Sequence, residues 1–256
     1  MSRLLIVEES TILCGIYRRL LEKDAEFVYD VVQTYKEAEE YLDTSRYDFA
    51  VVSRTLPDAN HGEVIALLNK HNIAPIVYTD KIDEDFMESY ESANVVEYIL
   101  RHRYDNVKYV ISRLKQLQKN KKRTILVAHK SEIHRRYLSQ NLLLHNFQVI
   151  AVDSAYEAIQ KLETHKDIAL LIVNNELSQV AGLEQIDGLE LVRKVRKMKI
   201  DNIKIIALAS NSNCYLTSFY LNEGADDYLI CQYSRDEFYI RIYQNLKNLD
   251  LKWKKY

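Results

Sequence analysis

The chain has 256 residues, 47% of them apolar, and a net charge of -2. That length and apolar content suffice for two domains with a core each. The charge balance excludes a dedicated binder of nucleic acid or of an anionic membrane, which would carry a basic excess.

No apolar run reaches the ~20 residues of a membrane span. The start, MSRLLIVEES, meets carboxylates after four apolar residues. It is therefore no secretory signal, and the expected location is cytoplasmic. Cys14, Cys214 and Cys231 are too far apart for a disulfide framework or a zinc spacing. His129 and His134, five apart, come nearest to a metal pair. With five glycines and no GxGxxG or GxxxxGK[ST], the chain has no glycine-rich phosphate loop.

Taken in order, the elements come round twice. Strand patterns at LLIV, FVYDVV, DFAVVS, APIVYT and VVEYIL fill the first half. Those at ILVA, FQVIAV, IALLIVN, IKIIALAS and ADDYLI fill the second. Helical patterns such as TILCGIYRRLLEKD, KEAEEYLDT, EIHRRYLSQNLLLHN and AYEAIQKLETH stand between them. Apolar strands alternating with helices predict a parallel sheet covered on both faces. Five such units per half predict two tandem doubly wound (βα)5 folds of flavodoxin-like α/β class, each with a five-stranded parallel sheet. The expected boundaries are 1–118 for the first domain, 119–123 for a basic linker, and 124–256 for the second.

In such a sheet, ligands bind at the carboxyl ends of the strands. In the first half these ends carry Glu8 and Glu9, Ser53, Thr79 and Arg101. In the second half they carry Ala128 and His129, Asn174, Ala209 and Cys231. Both halves resemble the receiver domain of bacterial response regulators, over nearly the whole chain. The resemblance rests on LLIVEES, VVSRTLPDANHGEVI, PIVYTD and VVEYIL in the first half. In the second it rests on ILVAHKS, LIVNNELS, DGLELVRKVR, IIALAS and GADDYLI. The tandem arrangement also resembles the paired receivers ahead of a diguanylate cyclase domain.

The resemblance implies a site of an acidic pair and an aspartate that hold Mg²⁺, the aspartate taking a phosphoryl group from a phosphohistidine. It further implies a hydroxyl and an aromatic that act as the switch, and a lysine followed by proline. By this carry-over Glu8 and Glu9 match the acidic pair, Thr79 the hydroxyl and Tyr98 the aromatic. Ser53 stands for the aspartate and Arg101 for the lysine, with His102 in place of the proline. In the second half Ala128 and His129 stand at the acidic pair, Asn174 at the acceptor, Ala209 at the hydroxyl, Tyr228 at the aromatic and Cys231 at the lysine. Asn175 is the alternative acceptor position if the alignment slips, and the loop from Asn174 to Asp187 is about six residues longer than usual in the family.

A serine hydroxyl gives a cation no charge and is a poor nucleophile without a base beside it. Asn174 keeps the shape of aspartate without its charge. Two carboxylates near Arg101 attract a metal weakly, so Arg101 is expected to pair with them, and Glu8 and Glu9 are at most a vestigial metal site. The expected protein is a non-catalytic two-component signalling module, a pair of pseudo-receivers acting by protein contact or dimerisation. The fourth helix, fifth strand and fifth helix of one domain form the contact. Expected partners are a protein or its own output domain, a second copy, and a histidine kinase or phosphotransfer protein, with no nucleic acid and no membrane. No cofactor is expected, Mg²⁺ at the first domain being the weak exception.

Three alternatives stay open. The chain is the regulatory front of a diguanylate cyclase, although it stops soon after the last helix. It still accepts phosphate, with Asp58 the nearest spare carboxylate. Or it senses a small molecule in the vacated second site.

Overall fold

The structure is a computed structural model that describes residues 1–23, 26–80, 94–101, 106–200, 202–209, 214–230 and 233–252. The chain divides into two compact units, Met1–Lys119 and Asn120–Tyr256. In the first, β1 (Ser2–Val7), α1 (Thr11–Glu22), β2 (Phe27–Val32), α2 (Tyr35–Thr44), β3 (Phe49–Ser53), α3 (Glu63–Lys70), β4 (Pro75–Thr79) and β5 (Glu97–Leu100) lead into α4 (Asn106–Asn120). The second holds β6 (Thr124–Ala128), α5 (Glu132–Leu144), β7 (Gln148–Val152), α6 (Ala155–Thr164), β8 (Ile168–Asn174) and α7 (Gly188–Lys197). It continues with β9 (Lys204–Ala209), α8 (Cys214–Asn222), β10 (Asp227–Ile230) and α9 (Arg235–Lys252).

Each sheet is parallel throughout, in the order β2-β1-β3-β4-β5 and β7-β6-β8-β9-β10. Both are flavodoxin-like. The strand order reverses between β1 and β3, and again between β6 and β8, which opens a crevice above those strand ends. The central strands β3, β4 and β6 are buried along their whole length, as both-face coverage requires. In the second unit one cluster around Leu171, Val192 and Tyr220 fills one face of the sheet. A cluster around Ile172, Leu142 and Phe238 fills the other.

Short polar residues start the helices. Ser10, Thr34, Ser131, Ser154 and Asp187 are extended N-cap residues, each accepting from the N–H three positions on. Thr34 and Glu37 form a reciprocal capping box. Asn120, placed in the basic linker on sequence grounds, is instead the last residue of α4 and fully buried. Its amide donates to the His145 carbonyl at 2.8 Å and to Tyr243 Oη at 3.1 Å, so burial here is matched by hydrogen bonds.

Candidate functional site

In the first unit Val7 pairs with Val52, so the next residues, Glu8 and Ser53, leave β1 and β3 side by side. Arg101 follows β5, two strands beyond β3, and its N–H donates to the Thr79 carbonyl at 2.9 Å. Its guanidinium lies over the Tyr78 ring of β4, 5.2 Å from the centroid, and reaches back to β1. There Nη2 donates to Glu8 Oε2 at 2.9 Å, to Glu8 Oε1 at 3.1 Å and to Ser53 Oγ at 2.9 Å. Nη1 donates to Glu9 Oε1 at 2.9 Å, and Nη2 also touches Glu9 Oε2 at 3.4 Å. Ser53 Oγ in turn donates to the Thr55 carbonyl at 2.8 Å. The structure thus brings Glu8, Glu9, Ser53 and Arg101 into one cluster. Thr79 is buried at the end of β4, and Tyr98 is half-buried against the core of this unit.

Glu8 is 2% exposed and the Arg101 side chain 12%. Burial pushes the Glu8 carboxyl up to about 7, against the Ser10 N–H and Arg101, which pull it down. Burial also acts to raise Glu9, but its bonds to Arg101 hold it below the usual carboxylate range. For Arg101 burial works against the charge, and the two glutamates more than restore it.

The Mg²⁺ that the resemblance implies does not fit this arrangement. It demands oxygen ligands at about 2.0–2.1 Å in near-octahedral geometry. Here all four oxygens of Glu8 and Glu9, and Ser53 Oγ, already accept from the guanidinium, and Glu8 Oε1 also accepts from Ser10 N. A cation among them would face a positive charge instead of lone pairs.

Asp58 is not a spare carboxylate. Its two oxygens accept from the Tyr35 and Lys36 N–H groups, at 2.8 and 3.1 Å, across the start of α2.

The second unit requires a correction. Ala128 pairs with Val173, as Val7 pairs with Val52, and the caps Ser10 and Ser131 open the equivalent helices. The residues equivalent to Glu8 and Glu9 are therefore His129 and Lys130; Ala128 is the last strand residue. β6 begins one residue later relative to its end, and its register with β8 shifts between Thr124 and Ile125.

His129 Nδ1 accepts from the Ser131 N–H at 3.0 Å, which leaves the proton of the neutral ring on Nε2. Burial, with electrostatic repulsion from His134 and Arg135, pushes it down to about 4. Its ring stacks on His134 with centroids 4.8 Å apart, yet with Nδ1 committed and Nε2 protonated it offers no lone pair to a metal. Among the described residues no group of three metal-ligating side chains occurs.

Asn174 ends β8 and pairs in register with Leu208, which places it, and not Asn175, at the strand end. Its Nδ2 donates to the Leu208 carbonyl at 3.3 Å, and its Oδ1 accepts from Glu176 N at 2.8 Å. Asn175 Oδ1 accepts from Tyr220 Oη at 2.9 Å. Ala209 is buried at the end of β9. Tyr228 is buried beside Tyr220, its hydroxyl without a hydrogen-bond partner among the described residues. Cys231, like Gln232 and His102, lies outside the described residues.

Tyr78, which carries the guanidinium on its ring, and Asp80, 3.7 Å from Arg101, were not anticipated. Asp80 directly follows Thr79, and that adjacency was its only signal.

Residues 125–243 match the model of the response regulator receiver domain, and this part of the chain belongs to that family. Along its whole length the chain is similar to two crystal structures described as two-component system response regulator/GGDEF domain proteins. One is 27% identical with a TM-score of 0.84, the other 26% identical with a TM-score of 0.83. In each case 98% of this chain and 100% of the other are covered. The chain is also 26% identical to the two-component response regulator ORR11 of Oryza sativa subsp. indica, over 41% of this chain and 69% of that protein. It is 25% identical to ORR5 of Oryza sativa subsp. japonica, over 41% of this chain and 75% of that protein. The chain is thus similar throughout to receiver-type response regulators of two-component signalling, and among the described residues no helix is long and apolar enough to cross a membrane.

Proposed function

We propose that both receiver units act as pseudo-receivers, which signal by protein contact and carry no aspartyl phosphate. One observation carries this reading: the third strand of each unit ends on an uncharged residue, Ser53 or Asn174, both satisfied by internal hydrogen bonds. The sites around them have also lost their purpose by charge. Arg101 neutralises the pair Glu8–Glu9 in the first unit, and His129 with Lys130 replaces the pair in the second. The expected setting is the cytoplasm.

A second reading concerns what the units regulate. The full-length similarity to receiver/GGDEF proteins supports a place for this pair in front of a diguanylate cyclase domain, in cyclic di-GMP signalling. The two readings are compatible, since a pseudo-receiver pair can hold or release an output domain by contact alone.

The test is intact-mass spectrometry of the chain after incubation with acetyl phosphate and Mg²⁺. No phosphorylated species is expected. A stoichiometric, hydroxylamine-labile aspartyl phosphate overturns the proposal.

A further inference from the structure

We propose that Arg101 is the built-in cation of the first unit, a clamp that ties three strand ends together and makes this unit a fixed scaffold instead of a switch. The inference rests on the pseudo-receiver reading and extends it, by stating what took the place of the switching chemistry.

The argument is geometric. β1 and β5 lie three strand spacings apart in the sheet, at about 4.8 Å each. The Arg101 side chain covers part of that distance over the Tyr78 ring and is met there by the Glu8, Glu9 and Ser53 side chains reaching from the other side. It therefore joins the end of β5 to the ends of β1 and β3. Its own N–H is bound to Thr79 at the end of β4, so four neighbouring strand ends share one residue.

A planar guanidinium suits this task. It offers donors in a fixed fork, where lysine would offer a single strongly hydrated point charge. The Arg101–Glu8 pair is also shielded, with side chains 12% and 2% exposed, so salt and solvent weaken it little; the Glu9 arm is more open, at 30%. A switch in a receiver needs groups at these strand ends that can move apart and come together. Here Glu8, Glu9 and Ser53 are all bonded to one guanidinium.

The clamp makes a prediction about cations. With Arg101 in place, the carboxylates are closed to metal. Without it, Glu8 and Glu9 become adjacent carboxylates with no counter-charge, and a divalent ion restores the balance. The full chain, ¹⁵N-labelled, is titrated with Mn²⁺ as a paramagnetic probe, as wild type and as Arg101→Ala. Wild type should show no selective broadening of the Glu8, Glu9 and Ser10 amides at 1 mM Mn²⁺. Arg101→Ala should lose these signals selectively, and 10 mM Mg²⁺ should return at least half of them by competition. Its first-unit melting temperature should fall, and Mg²⁺ should raise it again, as it does not in wild type.

If Arg101→Ala does not fold, Arg101→Lys is titrated in its place. It keeps a charge but not the fork, and should show the same broadening at higher Mn²⁺. Selective broadening in wild type, or none in whichever variant folds, overturns the clamp. These outcomes are separate from the phosphorylation test: wild-type Mn²⁺ binding without phosphate would remove the clamp and leave the pseudo-receiver reading standing.

Discussion

His129 occupies a place where a receiver resembling this one carries a carboxylate, and it resists charge for a stated reason. Burial, with electrostatic repulsion from His134 and Arg135, disfavours protonation, while the Ser131 N–H needs Nδ1 as an acceptor. A base whose folded value lies near 4, against about 6.5 when unfolded, stabilises the fold above pH 6.5. That stability is lost as pH falls from 6.5 through 4. The loss is on the order of 2 kcal/mol after allowance for solvent screening. Urea unfolding of the second unit at pH 7 and pH 5, in wild type and in His129→Gln, measures it. The wild-type midpoint should fall more steeply with pH, because glutamine has nothing to protonate. Equal slopes would show that His129 is protonated in the folded state at the same pH as in the unfolded chain.

Helix starts show at the scale of elements what could be read from one sequence. The caps Ser10 and Ser131 lie where a short polar residue precedes an amphipathic run, and they fix the strand-to-helix turns in both units. The start of α2 is different. Thr34 covers one N–H, and the other two are covered by Asp58, twenty-three residues downstream of Tyr35. No local pattern reveals that partnership, which is why Asp58 reads as a spare carboxylate in the sequence. The two N–H bonds hold it below the usual carboxylate range and keep it ionised. Asp58→Ala should destabilise the first unit by about 1 kcal/mol, the usual cost of losing a helix cap, and wild type and variant should both stay unlabelled by acetyl phosphate. Denaturant melts with intact-mass spectra check both halves of that statement. A label present on wild type and absent from Asp58→Ala would make Asp58 an acceptor after all.

The same contrast explains the shift in β6. Apolar runs locate a strand well but position its ends poorly, and β6, one residue shorter at its start than β1, is where the sequence places the pair at Ala128–His129 and the register places it at His129–Lys130. Ser53, Asn174 and Arg101 were legible because each closes a short strand at a fixed point of the sheet. Tyr78 and Asp80 were not, because their roles exist only once Arg101 has crossed β4.

On the scale of the whole molecule, a pair of receivers without phosphotransfer needs a surface through which to act. In the first unit the segment expected to carry the fourth helix lies outside the described residues. The second unit offers a candidate among its described residues. β10 is the outer strand of its sheet, and α8 and α9 precede and follow it in the chain. Along this edge Phe219 is 53% exposed and Ile240 54%, with Leu221 and Ile230 also open. Arg241, next to Ile240 in α9, pairs with Asp227 at 3.3 Å and Glu237 at 3.7 Å. Large exposed apolar residues bounded by charge are the composition of a contact surface.

If a second copy covers this edge, sedimentation of the chain at about 10–100 μM should show a reversible dimer. The double substitution Phe219→Asp with Ile240→Asp should then weaken it at least tenfold, about 1.4 kcal/mol or more, while the melting temperature stays within a degree or two, because both side chains are exposed in the single chain. A monomer throughout that range would exclude self-association through this edge and leave it to a different protein or to an output domain. A dimer indifferent to both substitutions would place the contact elsewhere on the molecule.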